Sequence, residues 1–190
     1  MRFRALALAA VVIAGGCART PAVRYYTIPE ADRAWSESAQ WARYTVRVAA
    51  PTVPDALDRP ELVLRLSPTE VAVDDGHHWA EPLPSAVGRA VSADLKQALA
   101  GAHVTFADDL DGRDPADVEL YIQVRRLDLE LGRQVDLEIV WAALWADGRE
   151  RAGRAFARAS ALGADYDALA ASCAKALAAV TDDIARALRS

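Results

Sequence analysis

The strongest constraint in this sequence is a long alternation that breaks parity once. Val118, Leu120, Ile122 and Val124 are apolar at every second position, and Leu127, Leu129 and Leu131 continue the pattern one residue out of step. Successive strand residues point to opposite faces, so an unbroken strand would turn the second set toward water. One extra residue near Arg125–Arg126, a β-bulge, keeps both sets on the buried side. Gly132 marks a turn, after which Val135, Leu137, Ile139 and Trp141 form the next inward face. Asp147-Gly148 is a hairpin signal. Arg149 to Leu162 then reads as a returning strand with Ala155, Ala157 and Ala159 on one face, small enough to let a helix lie close.

Two amphipathic segments supply such helices. From Leu83 to Ala100, Val87, Val91, Leu95 and Leu99 recur every four residues. Pro84 suits the first turn, where its missing N–H costs nothing, and Gly101 suits the C-terminal cap. Asp165 is the expected N-cap of the last helix, which carries Leu169, Cys173, Leu177, Val180, Ile184 and Leu188 on one stripe. Shorter strands are expected at Tyr25-Tyr26-Thr27, Tyr44–Val48, Leu62–Leu66, Val71–Val73 and Val104–Phe106. Asp74-Asp75-Gly76 should turn the chain after Val73, and Glu30 to Trp41 has no period and reads as loop. The sum is an α/β two-layer sandwich, a mostly antiparallel sheet with two helices packed on one face.

The N-terminus has a separate meaning. Arg2 and Arg4 precede a continuous apolar run from Ala5 to Ile13, and Ala14-Gly15-Gly16 leads directly into Cys17. This is the layout of a secretory signal peptide, and it is short of the about 20 apolar residues a spanning helix needs. Small residues before a cysteine form a bacterial lipobox, although Ala14 stands where leucine is usual. Residues 1–16 are therefore expected to be a lipoprotein signal peptide, and 17–23 the lipidated Cys17 and its tether. Each buried CH₂ of an acyl chain contributes ~0.8 kcal/mol, and two or more chains hold a protein stably on a membrane. Ala18 replaces the aspartate that retains enterobacterial lipoproteins at the inner membrane, which favours the outer one.

Composition narrows the function further. Cleavage before Cys17 removes Arg2 and Arg4, the charged side chains of residues 1–16, and takes the formal net charge from −5 to −7. No basic run is present, so a nucleic-acid partner is not expected. Cys173 lies on an apolar helix stripe and reads as an inert buried thiol. His77 and His78 follow two aspartates, but neighbouring strand residues face opposite ways, so a polar hairpin tip is the simpler account than a metal site. Asp108, Asp109 and Asp111 before Gly112 imitate a calcium loop, yet its first and last ligand positions would fall on Ala107 and Val118. No G-x-S-x-G segment or phosphate-binding glycine loop occurs. No enzyme activity, cofactor or metal is expected.

Several segments, in order, resemble one family. Leu57-Asp58-Arg59-Pro60-Glu61-Leu62-Val63-Leu64-Arg65 and Trp79-Ala80-Glu81-Pro82-Leu83 are similar to signature segments of the ABC-type transport auxiliary lipoproteins (PqiC/YmbA-like). So are Tyr25-Tyr26-Thr27 after the cysteine, the run from Leu120 to Trp145, and the final helix with Ala176-Leu177 and Asp183-Ile184-Ala185. The resemblance makes residues 24–190 the auxiliary lipoprotein domain. It implies a non-catalytic subunit of an MCE-type lipid transport system. Its partner would be a periplasm-spanning, PqiB-like MCE protein and, through it, an inner-membrane permease and ATPase. The lipid anchor would hold it on the periplasmic side of the outer membrane. Trp79, Glu81, Pro82, Asp58 and Arg59 are the candidate partner-binding residues. Exposed sheet edges would suit strand addition or assembly into a homo-oligomer. The rival class is an outer-membrane assembly or stress lipoprotein that binds another envelope component.

Overall fold

The computed structural model describes residues 22–30, 40–109 and 115–190. Cys17, the leader before it and the end of the rejected calcium-loop segment at 111–112 lie outside them, as does most of the expected loop at 30–41. The elements are β1 (Arg24–Tyr26), β2 (Thr45–Val48), β3 (Glu61–Arg65), β4 (Val71–Trp79), α1 (Leu83–Ala98), β5 (His103–Phe106), β6 (Val118–Glu130), β7 (Gln134–Trp145), β8 (Glu150–Ser160) and α2 (Tyr166–Arg189).

β6 organises the sheet. Its register against β7 slips where the parity of the sequence breaks: Val124 faces Ile139 and Arg126 faces Glu138, which leaves Arg125 as the extra residue. Leu120, Ile122, Val124, Leu127 and Leu129 are all buried as a result. β8 pairs with β7 from Leu144↔Glu150 to Gln134↔Ser160 and completes the meander.

On its other edge β6 takes two partners in succession. β2 runs parallel to it at Val118–Leu120, Thr52 bridges Gln123, and β3 runs parallel to it at Leu64↔Leu129. The sheet therefore forks. One limb is β2–β5 and the other is β3–β4–β1. Between β2 and β3 the chain leaves β6 as a loop, residues 53–60, and then returns to the same strand. The sheet is mixed: the long β6–β7–β8 meander and β3–β4 are antiparallel, while β1–β4, β2–β5, β2–β6 and β3–β6 are parallel.

The turn expected at Asp74-Asp75-Gly76 does not reverse the chain, and His77 and His78 do not sit at a hairpin tip. β4 runs straight through to Trp79. Leu62 pairs with Asp74 while Glu61 pairs with His78, so the three residues between are pinched out of the ladder. The local chemistry is still that of a turn, since the Gly76 N–H donates to Asp74 Oδ1 at 3.0 Å. The strand continues because β1 adds to the far side of β4 at His77–Trp79.

Both helices lie on one face. Asp165 caps α2 as expected, its Oδ1 accepting from the Ala168 N–H at 2.8 Å. Buried Ala155 and Ala157 give α2 room against β8, and Ser172 Oγ donates to the Ser160 carbonyl at 3.2 Å. α1 approaches β5 through Gly88, where an added Cβ would sit 2.2 Å from the Phe106 ring. Cys173 is buried in this layer, and burial pushes its thiol up to about 12, the inert group expected.

Candidate functional site

The loop at 53–60 and the junction between β4 and α1 meet. The Trp79 N–H donates to the Pro60 carbonyl at 2.7 Å, and the Ala80 N–H donates to the Tyr26 carbonyl at 2.8 Å. These bonds fasten three chain segments that are distant in sequence. A groove of about 400 Å³ opens at the junction, lined by Tyr25, Asp58, Arg59, Pro60, Trp79 and the segment Ala80–Pro82. All five candidate residues read from the sequence thus line one groove.

They do not play equal parts. Trp79 is only 4% exposed and belongs to the hydrophobic core, so its indole closes the floor. Pro82 begins α1, its carbonyl accepting from the Ala86 N–H at 3.0 Å. Asp58, Arg59 and Pro82 are exposed. Arg59 Nε lies 3.1 Å from Glu61 Oε2, and Glu81 Oε2 lies 2.9 Å from Arg89 Nε. Glu61 is held below the usual carboxylate range by its own backbone N–H and then by Arg59. Arg89 is raised, first by its hydrogen bond to Glu81. These are exposed pairs, which fix side-chain positions and contribute little to stability.

The sequence reading passed over two features. Tyr25 lines the groove and stands 66% exposed, although the sequence marked it only as part of a strand and of a family-like segment, not as a binding residue. Its ring meets His78 edge-on at 5.8 Å. The second feature is a cluster behind the groove. His77 stacks on Tyr166 with ring centroids 3.6 Å apart, Tyr26 leans on both, and Asp74 Oδ1 lies 2.9 Å from His77 Nδ1. The Tyr166 hydroxyl donates to Asp74 Oδ2. Burial would raise the Asp74 carboxyl, but the bonds from Tyr166, His77 and Gly76 outweigh it and hold it low. Burial, followed by the bond to Asp74, pushes Tyr166 up to about 12. A phenol so raised is a weak acid that stays protonated at neutral pH and donates to Asp74, and the cluster acts as a clamp that joins β1 and β4 to α2. No pattern within one segment points to it, because Tyr166 is ninety-two residues from Asp74.

A forked mixed sheet roofed by two helices, with a groove where two short motifs lock together, defines a two-layer α/β module. The family model for the ABC-type transport auxiliary lipoprotein component matches residues 26–185, and the chain belongs to that family. Among solved structures, an uncharacterized protein is similar at 20% identity with a TM-score of 0.73, covering 88% of this chain and 99% of its own. A protein from Xanthomonas campestris is similar at 22% identity with a TM-score of 0.65, covering 85% of this chain and 92% of its own. At these identities the likeness speaks for the fold. No curated protein sequence matches the chain. Among the described residues no helix is long and apolar enough to cross a membrane.

Proposed function

We propose that the chain is the non-catalytic, outer-membrane subunit of an MCE-type ABC lipid transport system. Cys17 carries the lipid anchor, residues 17–23 form the tether, and the groove docks the periplasm-spanning MCE protein. Family membership supports association with a transporter. The observation that carries the docking reading is the Pro60–Trp79 lock. It joins the two motif segments and leaves Asp58, Arg59 and Pro82 on the surface, where core packing does not account for them. An apolar floor with a polar rim is the usual build of a protein–protein contact. Trp79 holds that floor in place from below.

A photo-crosslinking side chain placed at Asp58 or Pro82 in intact cells should capture an MCE-type periplasmic protein. The same side chain at Arg154, exposed on β8, serves as the control. Capture from Arg154 alone, or of an unrelated outer-membrane protein from the groove, would favour the rival class of assembly or stress lipoprotein.

A further inference from the structure

A second hollow lies at the opposite end of α1 from the groove. α1 is 16 residues long, and at about 1.5 Å per residue it sets the two sites roughly 24 Å apart. The hollow has a volume of about 380 Å³, and its walls carry more polar than apolar surface. Four arginines line it, Arg43, Arg149, Arg151 and Arg189, against one carboxylate side chain, Glu150. Asp147 pairs with Arg149 beside the hollow, and the arginines still outnumber the carboxylates there in a chain whose formal charge is −5.

Two of the four have a structural task. Arg189 donates to the Ala98 carbonyl at 2.6 Å, at the end of α1. Arg151 donates to the Ala187 carbonyl, at the end of α2, and to Ser190 Oγ at 2.8 Å. The helix ends do not account for the other two. Arg43 sits over the Tyr44 ring at 5.4 Å, and Arg149 over the Trp145 ring at 5.1 Å. Stacking holds a guanidinium in place without using its N–H donors. Arg149 gives Nε to the exposed Asp147 and keeps the outer fork of its five donors. Trp41 lines the same hollow and offers a reporter beside these arginines. It is 4% exposed, and its indole Nε1–H has no acceptor among the described residues.

We propose that this hollow is an anion site that takes a phosphate group. The Arg43 and Arg149 guanidiniums bind the phosphate oxygens as forks, beside the covered Trp41 indole. Guanidinium forks match phosphate geometry in two parallel bonds, and the polar walls suit a headgroup and not acyl chains. The phosphate is carried either by a lipid headgroup or by a free ion. This inference does not depend on the MCE reading.

The test follows the indole N–H resonances of the purified ¹⁵N-labelled full chain. Inorganic phosphate is titrated first, then dihexanoylphosphatidylglycerol below its micelle concentration. Trp41→Phe identifies the resonance. We expect a saturable shift of the Trp41 signal, and Arg43→Gln with Arg149→Gln should weaken it by at least about tenfold at unchanged melting temperature. Saturation by phosphate alone assigns the free ion. Saturation by the lipid without a response to phosphate assigns the headgroup. If neither probe moves the signal, or the double variant binds as tightly as the parent, the proposal is overturned. Should the double variant melt early, the single Arg43→Gln change carries the same reading.

Discussion

Asp165 starts α2 with one oxygen. Its side chain takes an N–H that the helix cannot satisfy internally. Asp165→Ala should therefore lower stability by about 1 kcal/mol in urea denaturation. The clamp at Asp74, His77 and Tyr166 makes a different prediction, in pH. Tyr166 is raised from 10.0 to about 12 in the folded chain, so it favours folding fully below pH 10 and loses that contribution as pH climbs toward 12. Asp74 is lowered from 3.8, so its contribution is present above that value and fades as pH falls through the lower folded one. Thermal melts from pH 2 to pH 12 should show stability eroding at both ends. Tyr166→Phe should flatten the alkaline limb and Asp74→Asn the acid limb. The cap and the inert Cys173 were legible because each is a local rule met within one turn or one stripe. The clamp was not, because its members come from three elements.

At the scale of elements, the bulge in β6 is the feature the sequence states most plainly. Deleting Arg125 removes the extra residue and leaves a regular ladder in which Val118–Val124 and Leu127–Leu129 fall on one alternation and keep the same buried face. We expect the deletion variant to remain folded by circular dichroism. Arg125→Ala, which keeps the residue count, should stay within about 0.5 kcal/mol of the parent. The contact of α1 with β5 predicts the opposite sensitivity. Gly88→Ala adds one methyl against the Phe106 ring and should cost about 1–3 kcal/mol by denaturant titration. The meander and both helices were readable because period and punctuation agree along each segment. The failure at Asp74–Gly76 has a physical reason. An Asx turn has the same local signature whether it ends a strand or pinches residues out of one, and the arrival of β1 decides between the two. The parallel pairings were likewise hidden, since they join segments whose own patterns say nothing about neighbours.

At the scale of the molecule, the fold converts a one-dimensional list of motifs into a single groove. The residues of that groove were named from the sequence, but its shape was not legible, because the Pro60–Trp79 lock depends on β3 and β4 pairing correctly. The anchor belongs to this scale as well. Cys17→Ser should release the chain from the membrane fraction or leave it unprocessed, and mass spectrometry of the parent protein should find acyl chains on Cys17.

The fork in the sheet has one more consequence. Residues before and after the loop at 53–60 are both pegged to β6, at Thr52 and at Leu64, and Pro60 is held by Trp79, so the start of the loop is the part with room to lengthen while its two ends stay fixed. Lengthening such a span by a few residues costs little closure entropy. Added residues ahead of Leu57 can therefore be accommodated without refolding the scaffold beneath, while Pro60 keeps its place through its bond to Trp79.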